Sequence, residues 1–203
     1  MTLPNGGEII YPSSTLMGIP SSGRFDGSIR GLRGLRAICG TVLQDGFIFS
    51  DSIANNIAIG DETPDWNKLY NAVRVANIEE FIYSLPLGMN TKIGMEGNGI
   101  SGGQKQRILI ARAVYKNPEY LFFDEATSSL DSNNERVIME NLAQFFQGRT
   151  VVIVAHRLST VKNADQIVVL EKGEVAEVGT HQELTKKQGK YYELVKNQLE
   201  LGG

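Results

Sequence analysis

Ser101-Gly102-Gly103-Gln104 is followed about twenty residues later by Tyr120-Leu121-Phe122-Phe123-Asp124-Glu125, an apolar run ending in two carboxylates. The first segment fits the S-x-x-Q capping box, in which Ser101 caps the amide at 104 and the Gln104 side chain returns to the Ser101 amide. A helix start of this kind offers unpaired amides and the positive end of the helix dipole to a phosphate, and the glycines let the phosphate approach the backbone. The second segment is too apolar for an edge strand. It therefore brings Asp124 and Glu125 out at the end of a buried parallel strand, where open α/β sheets bind their ligands. Two adjacent acids suit a division of labour, one holding hydrated magnesium and the other orienting an attacking water. The structural alternatives are a plain capped helix and a Glu125 that closes a loop.

Two further strands end in polar residues. Ala37 to Leu43 leads to Gln44, and Val151 to Ala155 leads to His156, so Gln44, Asp124, Glu125 and His156 are expected on one edge of one sheet. A nucleotide site also needs a glycine-rich loop ending in Lys-Ser or Lys-Thr. None occurs in the sequence, where the one Gly-Lys pair, Gly189-Lys190, is followed by Tyr191.

The elements that must position these residues follow from pattern. After residue 100, short apolar strands alternate with helices, as in βαβ units around a parallel sheet buried on both faces. The expected strands are Tyr120 to Asp124, Thr150 to Ala155 and Gln166 to Leu170, with Val175 to Val178 as a hairpin arm. The intervening helices are Ser101 to Tyr115 and Ser132 to Gln147, the latter with a second capping box from Ser132 to Glu135 after Asp131, and two short helices start at His181 and Lys190. Trp66 to Ile78 and Glu79 to Leu85 read as helices on the spacing of Leu69, Val73, Val75 and Ile78, and residues 52–100 carry no convincing strand. Glu8 to Tyr11 is a possible short strand among turns, and Phe47-Ile48-Phe49 forms an apolar cluster beyond Gln44.

At 203 residues, 41% apolar and 21% charged, the chain has ordinary globular composition. A net charge of −3 argues against a nucleic-acid partner held by bulk electrostatics, and Arg30, Arg33 and Arg36 read as a solvated helix face. Cys39 is the sole cysteine, which excludes an intramolecular disulfide and a cysteine metal cluster. No apolar stretch reaches the roughly 18 residues of a membrane span. Gly97-Asn98-Gly99-Ile100-Ser101-Gly102 matches the dinucleotide fingerprint G-x-G-x-x-G, but the strand that should precede it is missing and Gln44, Glu125 and His156 stay unexplained.

Five motifs in order make the chain resemble the ATP-binding domain of ABC transporters over nearly its whole length. Ser101 to Gln104, continued by Lys105-Gln106-Arg107, resembles the signature motif, with Ile100 where leucine is commoner. Phe122-Phe123-Asp124-Glu125 resembles Walker B, and Ser128-Ser129-Leu130-Asp131 the D-loop with serine for the usual alanine. Val42-Leu43-Gln44-Asp45 resembles the Q-loop, and Ala155-His156-Arg157-Leu158-Ser159-Thr160 the H-loop. Leu43 to Ser50, Ala155 to Thr160 and Gly179 to Leu184 are similar to the exporter type, with a flavour of bacterial peptide or bacteriocin exporters. Gly94-Met95-Glu96-Gly97 departs from the usual exporter pattern.

The resemblance implies an α/β fold, that of a P-loop NTPase-like ABC ATPase domain, with a parallel sheet flanked by helices plus a helical subdomain at about 52–115; residues 1–51 and 116–203 would form the α/β core. It implies ATP and Mg2+ as ligands. Glu125 would be the general base or water-orienting group, Asp124 would act on magnesium, Gln44 would touch magnesium and the attacking water, and His156 would contact the γ-phosphate. Ser101, Gly102, Gly103 and Gln104, with Asp131 of the D-loop, would bind the ATP held by a second nucleotide-binding domain in a head-to-tail dimer. Phe47 to Ser50 would face the coupling helix of a transmembrane domain, placing the chain at the cytoplasmic face of a membrane. In the family the Walker A loop comes before a segment like Leu3 to Ile9, so the chain is expected to be a partial domain, incomplete at its N-terminus and inactive alone. The competing expectations are a non-catalytic partner that lends its signature turn to another nucleotide-binding domain, the dinucleotide-binding unit, and a soluble ABC protein of DNA repair or translation.

Overall fold

A computed structural model describes residues 36–95, 99–127, 129–154 and 158–201. Residues from Ile38 onward form one compact unit. Three strands make its main sheet: β1 (Cys39–Val42), β4 (Tyr120–Asp124) and β5 (Thr150–Val154), in the order β1-β4-β5 and all parallel. Val42 lies opposite Phe123, and Asp124 opposite Val154, so the three strands finish along one edge.

Alternation along β4 sends Leu121 and Phe123 into the core, where the Phe123 ring meets Phe146 edge-on at 5.4 Å. On the opposite face, among the described residues, Phe122, Val152 and Val154 are 40%, 47% and 52% exposed. Among the described residues, helices cover one face of this parallel sheet. The strands alternate between a packed and a more exposed face, although their residues are apolar on both.

The core side is filled by α4 (Gly102–Lys116) and α5 (Ser132–Phe146). Along α4, Ile108, Leu109, Ile110 and Ala111 are all buried, because the helix lies between β1 on one side and α1 (Ile53–Ile57) and α2 (Trp66–Val75) on the other. Asp65 caps α2 through the amides of Asn67 and Lys68, and Leu69, Ala72 and Val73 face inward. Next comes α3 (Glu79–Ser84). One hydrophobic cluster runs without a break from these helices to the sheet. Between residues 50 and 100 there is also a small strand pair, β2 (Asp51–Ser52) with β3 (Lys92–Ile93), antiparallel. Two residues per strand are too few to leave a period-2 pattern, so the expectation of no strand here was an understatement.

After β5 comes the one-turn helix α6 (Leu158–Val161). Then β6 (Ile167–Glu171) pairs antiparallel with β7 (Glu174–Gly179) and, among the described residues, joins no other strand. The hairpin arm expected after β6 is present as β7, and its turn shows how. Lys172 and Gly173 both have positive φ, +54° and +84°, the geometry that folds a two-residue loop into a tight hairpin. Helices α7 (His181–Lys187) and α8 (Lys190–Leu201) cover this hairpin through a separate cluster of Ile167, Val169, Leu184, Tyr191 and Val195. The proposed strand at Glu8 to Tyr11 lies outside the described residues.

Candidate functional site

The signature-like turn folds as its sequence dictates. Ser101 Oγ accepts from the Gln104 amide at 3.2 Å, and Gln104 Oε1 accepts from the Ser101 amide at 2.8 Å. This box satisfies two amides, while those of Gly102 and Gly103, at the first and second helical positions, have no acceptor within the helix. A Cβ placed on Gly102 would meet nothing nearer than 3.7 Å, the Ser129 side chain, so the interior of this chain does not require glycine there. The bare backbone faces outward and suits an anion approaching from outside.

Gly103 backs onto the segment that follows β4. A Cβ there would lie 3.4 Å from the Ser129 carbonyl oxygen and 3.6 Å from Leu130 Cδ2. Arg107, one turn on, donates through Nη1 to the Asn77 carbonyl at 2.8 Å and through Nε to that of Gly103 at 3.4 Å. Partial burial lowers the guanidinium's pKa, and the charges of Asp131 and Glu80 act the other way. Asp131 is exposed and caps α5: Oδ1 accepts from the Asn134 amide at 3.0 Å and Oδ2 from the Asn134 side chain at 2.6 Å, which holds its carboxyl below the ordinary range. The expected capping box from Ser132 to Glu135 is thus displaced by one residue. Asp131 is the cap, and Glu135 is buried and accepts from Thr127 Oγ1 at 3.0 Å.

Gln44, Asp124 and Glu125 lie along the shared edge of the sheet. Gln44 is exposed in the turn after β1, closed by Gly46 N–H donating to Leu43 O at 3.2 Å. Gly46 packs against Leu109, whose side chain would have to turn aside to admit a Cβ, 2.4 Å from its Cδ1. Asp124 is the exposed last residue of β4. Glu125 is held by its amide, which donates to Val154 O at 3.0 Å, and has φ +48°, a left-handed backbone that costs a residue with a Cβ about 1–2 kcal/mol. Such strain concentrates where function fixes a side chain, and sequence gives no warning of it. His156 and Ser128 lie outside the described residues.

Among the described residues no three His, Cys, Asp or Glu side chains cluster closely enough to hold a metal ion. The donors expected there, Asp124 and Gln44, suit magnesium that takes one or two protein ligands and completes its shell with phosphate oxygens and water. A gap of about 20 Å³ beside Glu125, lined by Phe123, Phe146, Ile153 and Thr160 among others, is the size of one water and far too small for a nucleotide. Gly189-Lys190 is no phosphate loop: it joins α7 to α8, and Lys190 pairs with Glu171 and Glu193 at 3.2 and 3.4 Å.

Sequence reasoning missed Asn56 and Arg112. Asn56 is fully buried between Ile53 and Ile57, and Arg112 interrupts the apolar run of α4. A polar residue inside each apolar pattern was the available signal.

A parallel sheet with helices packed on it, a capped glycine turn and two acids at the central strand's end define an ABC ATPase domain. The family model for ABC transporters matches residues 5–128, and the chain belongs to that family. It is 53% identical over 150 residues to the toxin RTX-I translocation ATP-binding protein of Actinobacillus pleuropneumoniae, covering 74% of this chain and 21% of that protein. It is 48% identical over 167 residues to the leukotoxin translocation ATP-binding protein LktB of Mannheimia haemolytica, covering 82% and 23%. The structure of a bacterial Atm1-family ABC exporter with ATP bound matches with a TM-score of 0.78 at 41% identity, over 82% of this chain and 30% of that one. The chain thus spans about a fifth of the length of these curated relatives.

Proposed function

We propose that the chain is the ATP-binding and hydrolysing module of an ABC exporter, working against a second nucleotide-binding domain and beneath a transmembrane domain at the cytoplasmic face of a membrane. The observation that carries this reading is the shared sheet edge of Gln44, Asp124 and the strained Glu125. Residues 52–115 serve as the helical subdomain, and 1–51 with 116–203 as the α/β core. ATP is the substrate and Mg2+, bound through Asp124 and Gln44, would neutralise phosphate charge. The Glu125 carboxylate orients a water and takes its proton as the water oxygen bonds to the γ-phosphorus. The bond from that phosphorus to the bridging oxygen breaks, giving ADP and phosphate. His156 contacts the γ-phosphate, and Ser101 to Gln104 clasp ATP held by the partner domain, with Asp131 nearby.

The 203 residues contain no glycine-rich loop ending in Lys-Ser or Lys-Thr. Without its amides and lysine little neutralises the β- and γ-phosphates, so the purified chain should show negligible ATPase activity. Steady turnover abolished by Glu125→Gln would refute this. A second reading is favoured by the complete, outward-facing signature turn: a non-catalytic partner that completes another domain's ATP site.

A further inference from the structure

The loop between β1 and β2 carries Phe47 and Phe49, 63% and 48% exposed, their rings edge to face with centroids 5.0 Å apart. An exposed aromatic pair on a loop is expected to wander, yet this one is gripped from three elements. From α1, the fully buried Asn56 side chain brackets Phe49: Oδ1 accepts from its amide at 2.8 Å and Nδ2 donates to its carbonyl at 3.0 Å. Nδ2 also donates to Ser52 O at 3.0 Å. From α4, Arg112 donates through Nε to the Asn56 carbonyl at 2.7 Å, through Nη1 to the Phe47 carbonyl at 3.0 Å and through Nη2 to Asn56 Oδ1 at 3.4 Å, with its guanidinium 5.9 Å from the Phe49 ring centre. From the end of β3, Gly94 at φ +93° lies so close that a Cβ would sit 3.0 Å from the Phe49 carbonyl oxygen.

The Asn56 amide is hydrogen-bonded on both sides, so an apolar residue there would orphan the Phe49 amide and carbonyl, while the half-buried Arg112 guanidinium has no carboxylate partner among the described residues and bears desolvation. What the polar pair adds is a single conformation for an exposed loop. We propose that Asn56 and Arg112 are positioning residues that lock the Phe47–Phe49 loop onto helix α4 and so fix how the aromatic pair is presented to the transmembrane partner. Arg112 stands ten residues, about 15 Å, along the same helix whose first turn is Ser101 to Gln104. The exporter reading supplies the partner; how the loop is held does not depend on it.

The test uses the full chain without nucleotide, so its failure is distinct from failure of the exporter reading, which ATP-dependent association decides. Hydrogen exchange at the Phe49 amide and the fluorine spectrum of 4-fluorophenylalanine at position 47 are compared in the parent, Asn56→Ala, Arg112→Lys and Gly94→Ala. The parent should protect Phe49 and give one narrow line. Each variant should speed Phe49 exchange at least tenfold and shift or split the line, while Val73 and Ile138 keep their protection. Arg112→Lys retains charge but not the three-point fork, so it should fail to rescue. An unprotected Phe49 in the parent, or unchanged exchange and spectrum in the variants, would overturn the proposal. If one variant loses protection throughout, the other two and the parent decide.

Discussion

Replacing Glu125 by glycine should leave the chain more stable than replacing it by alanine. Both substitutions delete the carboxylate and whatever it touches, so their difference isolates the backbone at φ +48°. Alanine keeps a Cβ in the left-handed region at a cost of about 1–2 kcal/mol, which glycine avoids. Glycine returns about 0.5–1 kcal/mol of this through its greater freedom in the unfolded chain. The net advantage of Glu125→Gly over Glu125→Ala is about 0–1.5 kcal/mol, centred on about 0.75 kcal/mol, or about 1.5–3 °C in Tm at that centre for a domain of this size. Urea unfolding followed by circular dichroism reads it as a higher midpoint at unchanged slope. An alanine variant more stable than the glycine variant would refute the claim that the fold stores strain at this carboxylate.

Two other outcomes follow from the packing. Leu121→Ala, on the closed face of β4, should cost about 2–5 kcal/mol. Val152→Thr, on the more exposed face opposite Phe122, should stay within about 0.5 kcal/mol, and denaturant midpoints for the two variants would show whether one face or both are buried. Glu177 is held below the ordinary glutamate pKa, first by the Tyr191 amide at 2.8 Å and then by Lys187 at 3.2 Å. Because its folded pKa is depressed, its contribution is present above the ordinary glutamate range and disappears as pH falls through the lower, folded value. Exchange protection at the Tyr191 amide should fall with pH over that window in the parent chain, and the Glu177→Gln variant should lack this dependence.

How legible each part was depends on how local its cause is. The bounds of β4 were readable because four apolar residues end abruptly in two acids, and the start of α4 because both halves of its capping box lie within four residues. The cap of α5 was misplaced by one residue, since Ser132 and Glu135 also satisfy the pattern, and only the fold chooses Asp131. The hairpin of β6 and β7 was readable from two short apolar runs on either side of Lys172-Gly173. The left-handed Glu125 had no local cause to read, and of the Asn56–Arg112 grip only the two polar residues inside apolar patterns were readable, not their pairing across 56 positions.

The claim at the centre of this account is that the Ser101 turn and Glu125 serve two different ATP molecules, one held by a partner and one by this chain. Sedimentation or light scattering of the chain mixed with a complete nucleotide-binding domain, with and without millimolar Mg-ATP, tests it directly. The account predicts ATP-dependent association that Ser101→Arg abolishes and Glu125→Gln preserves. No association with ATP, or association indifferent to Ser101→Arg, would contradict it.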